Sequence, residues 1–287
     1  MKTLIIILVL IIGLPLLTRA IPFCEKQSNL VEKFKTAGIS YTDNYYESGG
    51  YRVHYVTVGD PQRPAVLFIH GSPGSWDTFV NFLTDADLAK DSYMIAIDRP
   101  GYRDTVGKPL DSADEQAHML IPLLDKITGK VIVVSHSYGG PIATELVLHA
   151  PEKIDSVILL SPTLEPRGEE RNFLKRTSQV VALTPIIRNL INPNLYNAAV
   201  ELRGVPTEMR GLEEDMKNIT VPVTIIHGDA DKIAPVSNIE YVKTHFTGTT
   251  VKVINEKSMG HLIPWKNVDL VKKEILLNIK NLNSSSF

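Results

Sequence analysis

The chain has 287 residues, a formal net charge of −2 and 44% hydrophobic residues. That is enough for one sizeable core, and the near-neutral balance gives no basic surface for nucleic acid. No Lys/Arg cluster, zinc-ligand spacing or phosphate-binding glycine loop is present, and the single cysteine, Cys24, rules out an internal disulfide.

In chain order, the first feature is a targeting segment. Lys2 precedes a continuous apolar run from Leu4 to Leu17, broken only by Gly13 and Pro15. The run is about 14 residues, short of the roughly 20 that a membrane span needs. Thr18-Arg19-Ala20 reads as a cleavage site. Residues 1–20 are therefore expected to be a signal peptide and the protein to be exported, periplasmic or secreted. The alternative is an uncleaved segment that associates the protein with a membrane. Cys24 is expected to be an unpaired thiol near a mobile N-terminus.

Residues 25–40 read as a polar, partly helical lead-in. Tyr41 to Tyr46 and Tyr51 to Val58 read as two strands, with Gly49-Gly50 as the hairpin signal between them. Strand-like runs recur at 65–70, 93–98, 130–135, 156–161, 222–227 and 250–255. Most are continuously apolar, which fits strands buried on both faces. Helical segments fall between them at 75–84, 112–127, 137–149, 236–246 and 266–282. Alternating strands and helices imply a mostly parallel sheet covered on both faces. From about Thr163 to Ile219 no strand-like run appears. The tail Asn283-Ser284-Ser285-Ser286 is expected to be disordered.

The segment Ser135-His136-Ser137-Tyr138-Gly139-Gly140 follows the apolar run Val131 to Val134 and precedes a helical stretch beginning at Pro141. A serine among small residues at a sharp strand-to-helix turn has the form of a nucleophile elbow, in which the turn lifts the hydroxyl above the sheet. Ser135 stands where the usual G-x-S-x-G pattern has its first glycine. Taken alone, the six residues fit either an elbow or an ordinary strand-to-helix turn.

Three further segments fall in a matching order. Ala65 to Ile69 runs into His70-Gly71-Ser72-Pro73-Gly74. Val223 to Ile226 runs into His227-Gly228-Asp229-Ala230-Asp231. The strand-like Thr250 to Ile254 is followed by Ser258-Met259-Gly260-His261. With these motifs the chain resembles the α/β-hydrolase superfamily, in its HGxPG-containing branch, over roughly residues 40–280. The resemblance implies an α/β-hydrolase fold: a mostly parallel, eight-stranded sheet flanked by helices. The core would comprise 40–162 and 220–282, with a small helical cap at 163–219.

The resemblance also implies a catalytic site. Ser137 would be the nucleophile and His261 the base that takes its proton. Asp229 and Asp231 share the turn after the seventh strand. Relatives with a G-x-x-D-x-x-x-P turn use the Asp three after the glycine, which with Gly228 and Pro235 selects Asp231. Its work would be to hold the imidazole tautomer and stabilise the imidazolium. The backbone N–H groups of Tyr138 and Ser72 would form the oxyanion hole. His70 and Gly71 would shape that loop, and Trp76 beside it would line the acyl pocket or join the core. Asp98-Arg99-Pro100-Gly101-Tyr102 resembles the family's D-x-x-G-x-G turn, with Arg103 at the second glycine. His136 is expected to pack away from the nucleophile, His227 to anchor a loop, and His54 to have no supporting neighbour.

The expected activity is hydrolysis of a small or medium carboxylic ester, thioester or lactone, with a small-molecule substrate and neither metal nor cofactor. Alternatives are carbon–carbon bond hydrolysis by the same triad, or a ligand-binding protein with a vestigial triad. Epoxide and haloalkane hydrolysis are disfavoured, because those relatives carry Asp at the place of Ser137.

Overall fold

The computed structural model describes residues 14–171 and 173–284. The apolar run from Leu4 to Gly13 and the tail residues Ser285 and Ser286 lie outside the described residues. Eight strands form one sheet: β1 (Thr42–Ser48), β2 (Tyr51–Gly59), β3 (Ala65–Ile69), β4 (Tyr93–Ile97), β5 (Val131–His136), β6 (Ser156–Leu160), β7 (Val223–Gly228) and β8 (Val251–Glu256). Their spatial order is β1-β2-β4-β3-β5-β6-β7-β8. The β1/β2 and β2/β4 pairs are antiparallel, and every other pair is parallel.

The continuous apolar runs become central strands because both of their faces are covered. Every residue of β3, β5, β6 and β7 is buried. β8 closes the sheet at an edge and is half-exposed along its length. The β1–β2 hairpin turns on Gly49 and Gly50, with φ of 56° and 79°. Two successive residues in the left-handed region are what a tight two-residue hairpin needs.

The helices are α1 (Leu14–Thr18), α2 (Gln27–Ala37), α3 (Ala86–Asp91), α4 (Ala113–Leu124), α5 (Gly139–His149), α6 (Pro166–Arg171), α7 (Phe173–Leu183), α8 (Pro193–Leu212), α9 (Ser237–His245) and α10 (Val268–Ser284). Side-chain caps fix several starts. Ser112 accepts the Glu115 N–H, Asn192 accepts that of Asn194, and Asp85 accepts those of Asp87 and Leu88. The expected helix at 75–84 is instead a 3₁₀ turn, Trp76–Phe79, followed by one short helical turn, Val80–Leu83. α3 was not expected, because six residues, half of them charged, carry no periodic apolar signal. Asn283 and Ser284 complete α10 rather than leaving it.

Two apolar clusters sandwich the sheet. One joins α4 and α5 (Leu120, Ile142, Leu146) to Leu67, Val133 and Leu159. The other joins α10 (Val271, Ile275) to Phe68, Val134, Phe79 and Trp76. Between β6 and β7 the described residues contain no strand. α6 and α7 both pack on α8 there, and α8 in turn contacts α4.

One acidic side chain on this scaffold gives a pH-dependent stability. Glu145 of α5 is 5% exposed. Burial, then the charges of Asp114, Glu208 and Asp215, push its carboxyl from 4.5 up to about 7, with His149 Nε2 3.5 Å away. A carboxyl raised in the folded state destabilises the fold once it must ionise. The penalty is absent below the unfolded value, grows as pH rises through the folded value, and is complete above it. Glu145→Gln should therefore stabilise the protein by on the order of 1–3 kcal/mol at about pH 8 and change little at about pH 4.5. Urea unfolding at both pH values checks this, and an equal effect at both would remove the explanation.

Candidate active site

Ser137 sits between β5 and α5 with φ of 54°, a left-handed conformation that is costly for a residue with a Cβ. Its surroundings hold it there. The Ser137 N–H donates to the Leu160 carbonyl at 3.0 Å, extending the β5–β6 ladder past its end, and its carbonyl accepts the Gly140 N–H at 2.9 Å. The turn closes only because its neighbours lack side chains. A Cβ on Gly139 would lie 2.4 Å from the Ile69 carbonyl oxygen, one on Gly140 2.7 Å from Pro162, and one on Gly71 2.8 Å from the Ser137 Cβ. Ser135 is accommodated inside β5, fully buried, with no described partner for its hydroxyl.

The turns after β7 and β8 bring Asp231 and His261 together. His261 Nδ1 donates to Asp231 Oδ2 at 2.8 Å. The other carboxylate oxygen accepts the N–H groups of Ile233 and Ala234 at 2.8 and 3.0 Å. Burial pushes the Asp231 carboxyl up, but these hydrogen bonds and the nearby imidazole outweigh it and hold it below the ordinary carboxylate value. Asp229 turns elsewhere and accepts the Ser258 N–H at 2.6 Å, so it shapes the His261 loop. Gly228 is required beneath that loop, because a Cβ there would meet the Met259 carbonyl oxygen at 2.1 Å.

His136 departs from expectation. It does pack, but directly against His261, with ring centroids 4.8 Å apart, and its Nε2 donates to the His261 carbonyl at 3.1 Å. Burial, then the neighbouring His261, push its pKa down to about 3, so it stays neutral. It supports the imidazole that the sequence marks as the base. His54 also has a partner: Nδ1 donates to Asp98 Oδ2 at 2.7 Å. Those partners are 125 and 44 residues away in sequence, so no local pattern could have revealed them.

The Ser72 loop is held by Arg99. This fully buried guanidinium donates to the His70 carbonyl (3.0 Å), the Gly71 carbonyl (2.9 Å), Ser72 Oγ (2.8 Å) and Gln116 Oε1 (2.8 Å). Its counter-charge is Glu201 of α8, which is completely buried and forms the ion pair with Arg99. Glu201 also accepts from the hydroxyls of Ser72 and Tyr102 and from the Gln116 amide. His70 accepts the Arg99 backbone N–H at Nε2 and donates from Nδ1 to the Gly71 carbonyl. Burial and then Arg99 push its pKa well down, so it is a neutral scaffold residue.

Trp76 is a core residue and lines no described cavity. It is 1% exposed, its backbone N–H donates to Asp98 Oδ1 at 2.9 Å, and its ring packs at a tilt against Phe34 and Tyr41. The 3₁₀ turn that replaces the expected helix aims its ring inward. Arg103, at the family's second glycine, keeps the conformation a glycine would supply, with φ of 44°. It binds Asp77 and the Glu25 carbonyl, each at 3.2 Å, and Gln27 at 2.7 Å. Cys24 is not on a free end either: it lies 3.4 Å from Ser75 Oγ, and burial pushes its thiol pKa up.

A cavity of about 1420 Å³ lies between α1, α7, α8 and the loops of the site. Its walls include Ser72 and Pro73 of the Arg99-braced loop and Lys232 and Ile233 beside Asp231. Ser137 and His261 are not among the lining residues. The rest of the wall is chiefly aliphatic, from residues such as Val181, Ile187, Leu195 and Leu202, and among the described residues Lys232 is the one charged side chain in it.

A mostly parallel sheet with a strained serine after β5, an acid after β7 and a histidine after β8 is the arrangement of an α/β-hydrolase. The chain belongs to the alpha/beta hydrolase family, whose model matches residues 66–271. It is 30% identical to Epoxide hydrolase 3 of Mus musculus over 148 residues, which is 48% of this chain and 38% of that protein. It thus spans well under half the length of that relative. It is 22% identical to Monoacylglycerol lipase ABHD6 of Bos taurus, covering 88% of this chain and 87% of that one. A solved structure of a candidate lipase from Acinetobacter baumannii superposes with a TM-score of 0.71 at 19% identity, covering 91% of this chain and 99% of that one. That likeness concerns the fold alone.

Removing the Glu201 carboxylate should strand a buried cation. Glu201→Ala is expected to destabilise the protein by about 3–5 kcal/mol. In a thermal melt this should appear as a fall in Tm of order 10 °C. A shift of only a degree or two would mean that solvent reaches Arg99.

Proposed function

We propose that the protein is a serine hydrolase that cleaves a carboxylic ester through an acyl-enzyme on Ser137. The observation that carries this reading is the pairing of a left-handed Ser137 at the end of β5 with a His261 imidazole bound through Nδ1 to Asp231. With Nδ1 donating to a carboxylate, Nε2 is the nitrogen left to take the serine proton. His261 takes the proton from Ser137 as the hydroxyl oxygen attacks the ester carbonyl. The backbone N–H groups of Tyr138 and Ser72 receive the oxyanion, a contribution of about 10²–10³ in rate per donor. The imidazolium returns the proton to the leaving alcohol. A water activated by the same imidazole then hydrolyses the acyl-enzyme.

The similarity to proteins named epoxide hydrolases does not redirect the reading. A serine at the nucleophile position forms an acyl ester, whereas the expected epoxide-opening relatives use an aspartate. The apolar N-terminal run after Lys2 supports a protein directed to the membrane or beyond it.

Labelling with a fluorophosphonate probe tests the nucleophile. The native protein should label, Ser137→Ala should not, and its turnover of p-nitrophenyl butyrate should fall by about 10⁴ or more. Native protein that neither labels nor turns over would favour a ligand-binding role. The acid is tested by paired variants. Asp231→Asn should lower kcat by about 10³–10⁴, because the amide holds the wrong tautomer. Asp229→Asn, which still offers an acceptor to the Ser258 N–H, should stay within about threefold.

A further inference from the structure

α1 is built into the wall of the cavity. Pro15 and Thr18, three residues apart and so on one side of the helix, both line it. Leu16 and Leu17 between them face outward, 43% and 69% exposed. The segment is tied to the α7–α8 connection by polar contacts. Thr18 Oγ1 accepts the Asn192 N–H at 2.9 Å, and Arg19 donates to the carbonyls of Asn189 (2.6 Å) and Leu190 (3.1 Å). The Asn192 side chain donates to the Ile21 carbonyl at 3.0 Å. These contacts use Thr18, Arg19 and Ile21, in and beside the stretch that reads as a cleavage site. Cleavage after Ala20 would remove one wall of the cavity.

Several apolar residues of the cavity wall are exposed. Val181, Ile186 and Ile233 line the cavity and are nonetheless 48%, 66% and 49% exposed, and Val180 next to them is 68% exposed. Large exposed apolar side chains along one cavity mark an interaction surface. The apolar run that starts at Leu4 ends in α1, two of whose residues line the cavity. At about 14 residues it is too short for a full span but long enough to bury in the nearer part of a bilayer. Among the described residues no helix is long and apolar enough to cross a membrane. The volume exceeds the roughly 300–1,000 Å³ of ordinary small-ligand pockets. Ser72, Pro73, Lys232 and Ile233 bring the loops after β3 and β7 into its wall.

We propose that residues 1–20 are retained, that they seat the cavity mouth on a bilayer, and that the cavity takes the long acyl chain of a lipid ester directly from it. This rests on the ester-hydrolase reading and names its substrate class. The apolar wall holds the chain, while the ester group lies at the Ser72 end. Water-soluble short esters reach the same serine without needing the membrane.

The test uses the full chain, two p-nitrophenyl esters that differ only in acyl length, and vesicles of a non-hydrolysable ether-linked phosphatidylcholine. Mass analysis of the isolated protein should find residues 1–20 still attached. Vesicle-borne p-nitrophenyl palmitate should be cleaved with a higher kcat/KM than soluble p-nitrophenyl butyrate. The double variant Leu17→Asp, Val180→Asp alters two exposed residues that do not line the cavity. It should keep butyrate turnover within about twofold and lose about tenfold or more on vesicle-borne palmitate, together with vesicle binding in flotation. A mature chain beginning at Ile21, or a double variant equal to the native protein on vesicles, would overturn the proposal while leaving the Ser137 reading intact. A native protein that cleaves neither ester would bring down the Ser137 reading, and the proposal with it.

Discussion

The interior of this molecule is organised around one buried positive charge. A guanidinium taken out of water is tolerated only when nearly all of its donors find acceptors and a carboxylate stands beside it. Arg99 meets both conditions by drawing in three parts of the chain: the carbonyls after β3, Gln116 of α4, and Glu201 of α8. The loop that would carry an oxyanion donor therefore takes its shape from a charge pair whose negative member lies in the segment above the sheet. Ser72 touches both members of that pair.

Strain is distributed in a related way. Among the described residues, four other than glycine adopt left-handed conformations: Arg103, Ser137, Ser161 and Ser258. They follow β4, β5, β6 and β8 respectively. All four thus lie beyond the carboxyl ends of strands, where open α/β sheets place their sites. Such conformations persist only when the surroundings over-determine them. At Ser137 those surroundings are a ladder hydrogen bond and three close glycine contacts. At Arg103 they are an ion pair and two hydrogen bonds from the guanidinium.

The sheet was legible in the sequence because its central strands are buried on both faces, which leaves long β-branched runs that no helix-period pattern imitates. Ser137, Asp231 and His261 stood out through the motifs that carry the α/β-hydrolase resemblance, and the structure places them on the turns after β5, β7 and β8. Trp76 was ambiguous, since an aromatic beside a functional loop reads alike whether it faces a pocket or the core. The inward turn that decides the matter comes from a 3₁₀ segment without a sequence signature. His54 looked isolated because its partners, Asp98 and Asp43, lie on other elements of the sheet and its loops. Glu201, one of several charges on a twenty-residue helix, resembles any solvated helical acid. Only the 102-residue separation closed by the fold shows that it is the counter-ion of Arg99.

That separation also bears on how such a molecule can diversify. The segment between β6 and β7 is an insertion between two strands that pair with each other, so topology alone would let it be exchanged freely. Electrostatics does not. Any replacement must deliver a carboxylate to the place of Glu201, or else arrive together with the loss of Arg99 and a rebuilt loop after β3. In this chain the insertion and the loop after β3 are coupled through that ion pair, and a graft that matched only backbone ends would leave an uncompensated buried charge behind Ser72.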